Sequence, residues 1–167
     1  MKRLTVLLLI LCLFLSGCEI LGDRIKEPVT FYYIRPGYQD DMTEVIASEE
    51  REASGHRHDL SYLLALYLMG PTDEELNSPV PPGTRILVDT QDKDSIILNM
   101  ADTSKTLTDA EFSLACACLT LTCLELTEAE EVTVNSADRS VTMSRDNLTL
   151  FDNSEQIAEN ATTEETQ

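Results

Sequence analysis

Asp109-Ala110-Glu111-Phe112-Ser113-Leu114-Ala115-Cys116-Ala117-Cys118-Leu119-Thr120-Leu121-Thr122-Cys123-Leu124-Glu125-Leu126 supports two readings, and the fold depends on which is right. Leu119-Thr120-Leu121-Thr122 alternates as a strand does, while Phe112, Ala115, Cys116, Leu119, Cys123 and Leu126 recur with the period of a helix. Leu114, Cys118 and Leu121 widen that stripe until little polar surface remains. Length decides between them. Eighteen residues between acidic ends exceed an ordinary strand, so the segment reads as a helix buried on most sides. A helix with so little polar surface needs neighbours on more than one flank, and the rest of the chain must supply them.

Upstream, Thr84 to Thr90 and Ser95 to Ala101 read as strands joined through Gln91-Asp92-Lys93-Asp94. Ile86 and Val88 share one face, as do Ile96, Leu98 and Met100, with Leu87 and Ile97 on the opposite faces. Before them lies a helix opening at Asp59 as N-cap, with Leu60, Leu63, Leu64, Tyr67 and Leu68 as its apolar stripe. Gly70-Pro71 ends it, since glycine accepts the left-handed position past a helix and proline cannot continue one. Thr72-Asp73-Glu74-Glu75 has the form of a capping box for a further short turn. Ser78-Pro79-Val80-Pro81-Pro82-Gly83 is a stiff loop. Phe31 to Ile34 is a first strand stopped by Pro36-Gly37, and Tyr38 to His58 is a long, acidic connection. Downstream, Glu131 to Asn135 and Ser140 to Ser144 form a hairpin turning at Ala137-Asp138-Arg139. The order β-α-β-β-α-β-β makes an α/β (α+β) two-layer sandwich, with two helices on one face of a mainly antiparallel sheet.

The first residues follow a different logic. Lys2-Arg3, an apolar run from Leu4 to Leu15 broken only by Thr5, and Ser16-Gly17-Cys18 have the order of an export signal. That apolar run rises ~18 Å as a helix, short of a hydrocarbon core of roughly 30 Å. Leu15-Ser16-Gly17-Cys18 matches the bacterial lipobox, in which the cysteine takes a thioether-linked diacylglycerol and cleavage precedes it. Residues 1–17 are therefore expected as a lipoprotein signal peptide, Cys18 as the lipidated residue and 18–27 as a tether. A domain is expected over 28–150, followed by an acidic tail at 151–167. The expected location is the extracytoplasmic face of the cell membrane.

The 167 residues carry 12 basic and 30 acidic side chains, a formal charge of −18. Loss of Lys2 and Arg3 with the signal brings this to about −20, since no acidic residue precedes Cys18. Such a chain repels nucleic acid and anionic headgroups, so the lipid must supply the membrane affinity. Of five cysteines, Cys116, Cys118 and Cys123 sit in one apolar segment, a poor disulfide framework and a natural set of small buried hydrophobes. His56 and His58, with Glu49, Glu50 and Glu52 upstream, are the weak metal candidates. Their i, i+2 spacing turns the two rings apart, and Arg57 adds a repelling charge, so no metal, cofactor or catalytic residue is expected.

The segments Leu64-Ala65-Leu66-Tyr67-Leu68-Met69-Gly70-Pro71-Thr72 and Ser78-Pro79-Val80-Pro81-Pro82-Gly83-Thr84 resemble the GerMN domain of sporulation and spore-germination lipoproteins. The likeness runs on through Ile96 to Met100, the long second helix and Val132-x-Val134. It implies a small α/β domain like the ring-building modules of secretion and sporulation complexes, acting by binding proteins and carrying no catalytic residues. Gly70, Pro71, Thr72, Ser78, Pro79, Pro81 and Gly83 then form a motif that is mainly structural. The expected role is that of a lipid-anchored interaction module in a cell-envelope or sporulation/germination complex, with envelope proteins or further copies as partners. An extracytoplasmic small-ligand or metal-binding lipoprotein is the alternative.

Overall fold

A computed structural model describes residues 27–37, 45–101, 105–136 and 139–148. The signal, Cys18, the tether up to residue 26 and the acidic tail lie outside the described residues. Eight elements follow in order: β1 (Pro28–Ile34), β2 (Ile46–Glu52), α1 (Leu60–Leu68), β3 (Ile86–Gln91), β4 (Ser95–Met100), α2 (Asp109–Leu126), β5 (Glu131–Ser136) and β6 (Arg139–Ser144). The class is α+β, with two helices and mainly antiparallel strands.

The strands divide between two sheets. β1 and β2 form an antiparallel pair, and β3-β4-β5-β6 a second sheet in that order. β4 and β5 run parallel, joined through α2, because parallel neighbours need a crossover and the helix provides it. α2 packs against β1 of the small sheet and against β5 and β6 of the larger one. Its burial follows from this placement: Phe112, Ala115, Cys116, Ala117, Cys118, Leu119 and Cys123 are all buried. Thr108 and Glu111 form the capping box at its start, and Thr108's amide and hydroxyl hold the Glu111 carboxyl below the usual carboxylate range.

Three details of the sequence reading change, the first being the expected single sheet, which is divided in two. The connection from Tyr38 to His58 contains a strand, β2, so the order is β-β-α-β-β-α-β-β. Its sequence, Ile-Ala-Ser-Glu-Glu-Arg-Glu, has no apolar alternation, because its inward positions carry charges with partners of their own. The capping box expected at Thr72 is also absent. Asp73 accepts the Glu75 amide at 2.8 Å instead, and the Thr72 hydroxyl is bonded to Glu49.

The core is continuous across both sheets. Val29, Phe31 and Tyr33 from β1 meet Leu63, Leu64 and Tyr67 from α1, while Ile96, Leu98, Val132, Val134 and Met143 line the larger sheet. β1 alternates buried and half-buried, as a strand with one covered face should.

Candidate interaction site

α1 leads into a corner built from its own chain end and from β2. Asp59 caps the start, its carboxylate accepting the Tyr62 amide at 3.0 Å. At the other end Met69 and Gly70 donate to the carbonyls of Leu66 and Tyr67 at 3.3 and 3.0 Å. Gly70 has φ +88°, a conformation that a Cβ would strain. From β2, Arg51 Nη1 donates to the Gly70 carbonyl at 2.9 Å. Two residues earlier on the same face, Glu49 accepts the Thr72 amide through both carboxylate oxygens at 3.0 Å, together with the Thr72 hydroxyl. One cation and one anion on β2 therefore hold Gly70-Pro71-Thr72 from below. Arg51 also lies 5.8 Å from the centre of the Phe31 ring, which fixes its position.

The loop beyond is held by local bonds. Asn77 exchanges backbone hydrogen bonds with Ile34, at 2.7 and 3.0 Å, extending β1 by one bridge. The Ser78 hydroxyl accepts from the Val80 amide at 3.4 Å and donates to the Val80 carbonyl at 3.1 Å. Thr84 donates its hydroxyl to the Pro81 carbonyl at 2.7 Å across Gly83, whose φ is +83°. Leu76 and Val80 point into the core. Pro79 and Pro81 set the backbone that lets them do so.

His56 stacks on Tyr62, ring centres 4.0 Å apart. His58 instead lines a groove of about 400 Å³ with Arg57, Leu60, Gln91, Glu125, Leu126, Thr127 and Glu128. Glu49, one of the carboxylates near the two histidines in sequence, is committed to Thr72. Among the described residues no group of three or more His, Cys, Asp or Glu side chains is placed to hold a metal ion. Cys116, Cys118 and Cys123 are free thiols, and burial pushes each up to about 12, so at neutral pH none is a nucleophile. No helix among the described residues is long and apolar enough to cross a membrane.

Sequence reasoning missed Arg51 and the role of Glu49, which it read only as a carboxylate upstream of the two histidines. Their only signal was spacing: i and i+2 on a strand put opposite charges on one face, and a run of glutamates hid it. It also did not single out Met69, which stands 79 % exposed at the end of α1, whereas Leu87, read on the face opposite Ile86 and Val88, is 69 % exposed on β3.

A model of the Germane family, described as sporulation and spore germination, matches residues 30–142. No curated protein matches the sequence. Among solved structures, the chain is similar to the tandem GerMN domains of the sporulation protein GerM from Bacillus subtilis, with 14% identity over 67% of this chain and 39% of that one, and a TM-score of 0.47. The first GerMN domain of the same protein gives 13% identity over 68% and 86%, with a TM-score of 0.45. A candidate lipoprotein from Clostridium perfringens gives 14% identity over 71% and 87%, with a TM-score of 0.42. The chain spans 39% of the length of the tandem GerM structure.

Proposed function

The chain belongs to the Germane family, described as sporulation and spore germination, and on that premise we propose that it is a lipid-anchored, non-catalytic protein-interaction module of a cell-envelope or sporulation/germination complex. The observation that carries this reading is the outward side of α1. Leu-Ser-Tyr-Leu-Leu-Ala-Leu-Tyr-Leu is apolar on nearly every side, and a helix of that kind is ordinarily covered on every side. Leu60, Leu63, Leu64 and Tyr67 face the core, while Tyr62 and the adjoining Met69 are exposed. The Glu49–Arg51 clamp fixes the corner beside Met69, so the surface is preformed, which lowers the entropy lost on docking. A protein embedded in or lying on the same membrane is the partner that suits an anchor at Cys18.

A photo-cross-linking residue at Met69 in the full chain, used in membranes of sporulating and of vegetative cells, tests the reading. It should give a discrete cross-linked species in at least one of them, and monomer alone in both would overturn it. Cys18→Ala tests the anchor separately, since the variant should leave the membrane fraction.

A further inference from the structure

We propose that the open edge of β2 takes up an extended, lysine- or arginine-bearing segment of a partner protein as an added strand. This rests on the interaction-module reading and specifies where such a partner's backbone docks. The hydrogen-bonding parity of the small sheet sets the geometry. Ala53 donates to the Glu27 carbonyl at 3.2 Å and Arg35 to that of Val45 at 2.8 Å, so the odd-numbered residues of the two strands face each other's backbones. The even-numbered residues of β1 turn the other way, and two of them are met there. Ile34 pairs with Asn77, and the Tyr32 amide donates to Thr122 Oγ1 at 3.0 Å. By the same parity Ile46, Ser48, Glu50 and Glu52 aim their amides and carbonyls away from β1. Among the described residues no strand pairs with that edge, and Ser48, Glu50 and Glu52 are exposed.

An open strand edge is a template for another strand, and charge decides which one. Glu50 and Glu52 stand on one face of β2, so alternate lysines or arginines of an added strand lie directly beside them. A second copy of β2 in that place would set glutamates against glutamates, which is unfavourable. The other edges fit such a segment less well. β3 has a register irregularity between Val88 and Thr90, and β6 begins at Arg139 with Arg145 just beyond its end.

Hydrogen exchange on the full chain tests this, with a short peptide alternating Lys and Val as the probe and a Glu-Val peptide for comparison. The Lys peptide should slow exchange at Ile46, Ser48, Glu50 and Glu52, and the Glu peptide should not. Ser48→Pro removes one outward amide without touching the β1 pairing, so it should fold and lose the protection. Glu50→Lys with Glu52→Lys should weaken the Lys peptide by about tenfold. Absence of protection at these four amides, or protection that survives Ser48→Pro, would overturn the proposal. A cross-linked partner at Met69 without that protection leaves the interaction-module reading standing and removes the edge alone.

Discussion

Tyr33 and Tyr67 lie ring on ring, centres 4.8 Å apart and planes 8° apart, and their hydroxyls tie β1 to α1 in both directions. Tyr33 donates to the Tyr67 carbonyl at 3.1 Å, and Tyr67 donates to the Tyr32 carbonyl at 3.1 Å. Each ring is thereby buried with its polar tip satisfied, which is how a core accommodates tyrosine. Phe31 meets Tyr67 edge to face at 5.7 Å and completes the cluster. Tyr67→Phe keeps the packing and removes one donor, so it should cost about 1–2 kcal/mol. Tyr33→Phe should cost a similar amount. In urea unfolding both should lower the midpoint with little change in slope, and the double variant should deviate from additivity because the two bonds share one interface.

Thr120 and Thr122 sit two residues apart on α2, both buried, and should respond to the same substitution with opposite signs. Thr122 Oγ1 accepts the Tyr32 amide at 3.0 Å, satisfying the β1 edge that faces the helix. Thr122→Val leaves that amide without its acceptor and should destabilise by about 1–3 kcal/mol. Thr120 Oγ1 has no hydrogen-bond partner among the described residues. Thr120→Val replaces an unsatisfied hydroxyl with a methyl of similar size and should be neutral or stabilising by up to about 1–2 kcal/mol. Equal losses at both sites in thermal unfolding would contradict this assignment.

These residues also mark how far the sequence could be read. The α2 helix was legible from its length, because burial on most sides blurs the helical period, as the unbroken buried run from Ala115 to Thr120 shows. The α1 cap at Asp59 and its stop at Gly70 were legible because backbone geometry selects those residue types. β2 was not legible. Its inward positions hold Glu49 and Arg51, which are satisfied by Thr72 and Gly70 some twenty residues away, and no local pattern records a distant partner. The division into two sheets was hidden for a related reason, since α2 hides how its flanks are shared between β1 and the β5–β6 pair. Of the candidate site, the Gly70-Pro71-Thr72 corner was visible as a motif, and the side chains that hold it were not.

Glu49 and Arg51 should therefore matter more than two partly exposed charges usually do. Glu49→Ala removes the acceptor for the Thr72 amide and hydroxyl together. Because the site is solvent-accessible, water replaces part of the loss, and the expected cost is about 1 kcal/mol. Gly70→Ala forces a Cβ into a backbone at φ +88° and should cost about 1 kcal/mol or more, though its Cβ would meet no atom within 4 Å. Both variants should speed hydrogen exchange at Thr72 and leave the β5–β6 amides unchanged. Loss of protection throughout the larger sheet would mean that the corner is not a local device.

The three thiols of α2 make alkaline stability a direct readout of how completely this helix is enclosed. Burial raises Cys116, Cys118 and Cys123 from the ordinary 9.0 to about 12, with Arg139 partly opposing it at Cys116 and Cys116 adding to it at Cys118. A group whose folded pKa is raised keeps its proton in the native state after the unfolded chain has lost it. Its stabilising contribution is therefore full below about pH 9 and declines as the pH rises toward 12. Each thiol contributes a slope of up to about 1.4 kcal/mol per pH unit across that window. Burial pushes Tyr33 up to about 12 and Tyr67 well above its ordinary value, which steepens the loss above pH 10. Urea unfolding should thus give a midpoint that is flat between pH 7 and about 8.5 and falls steeply beyond. Cys118→Ala with Cys123→Ala should make the fall shallower, whatever the pair does to stability at neutral pH. Iodoacetamide at pH 8 should leave all three thiols unmodified in the native chain and label them once urea unfolds it. Rapid native-state labelling of Cys118 or Cys123 would mean that α2 is not held between the two sheets as its packing requires.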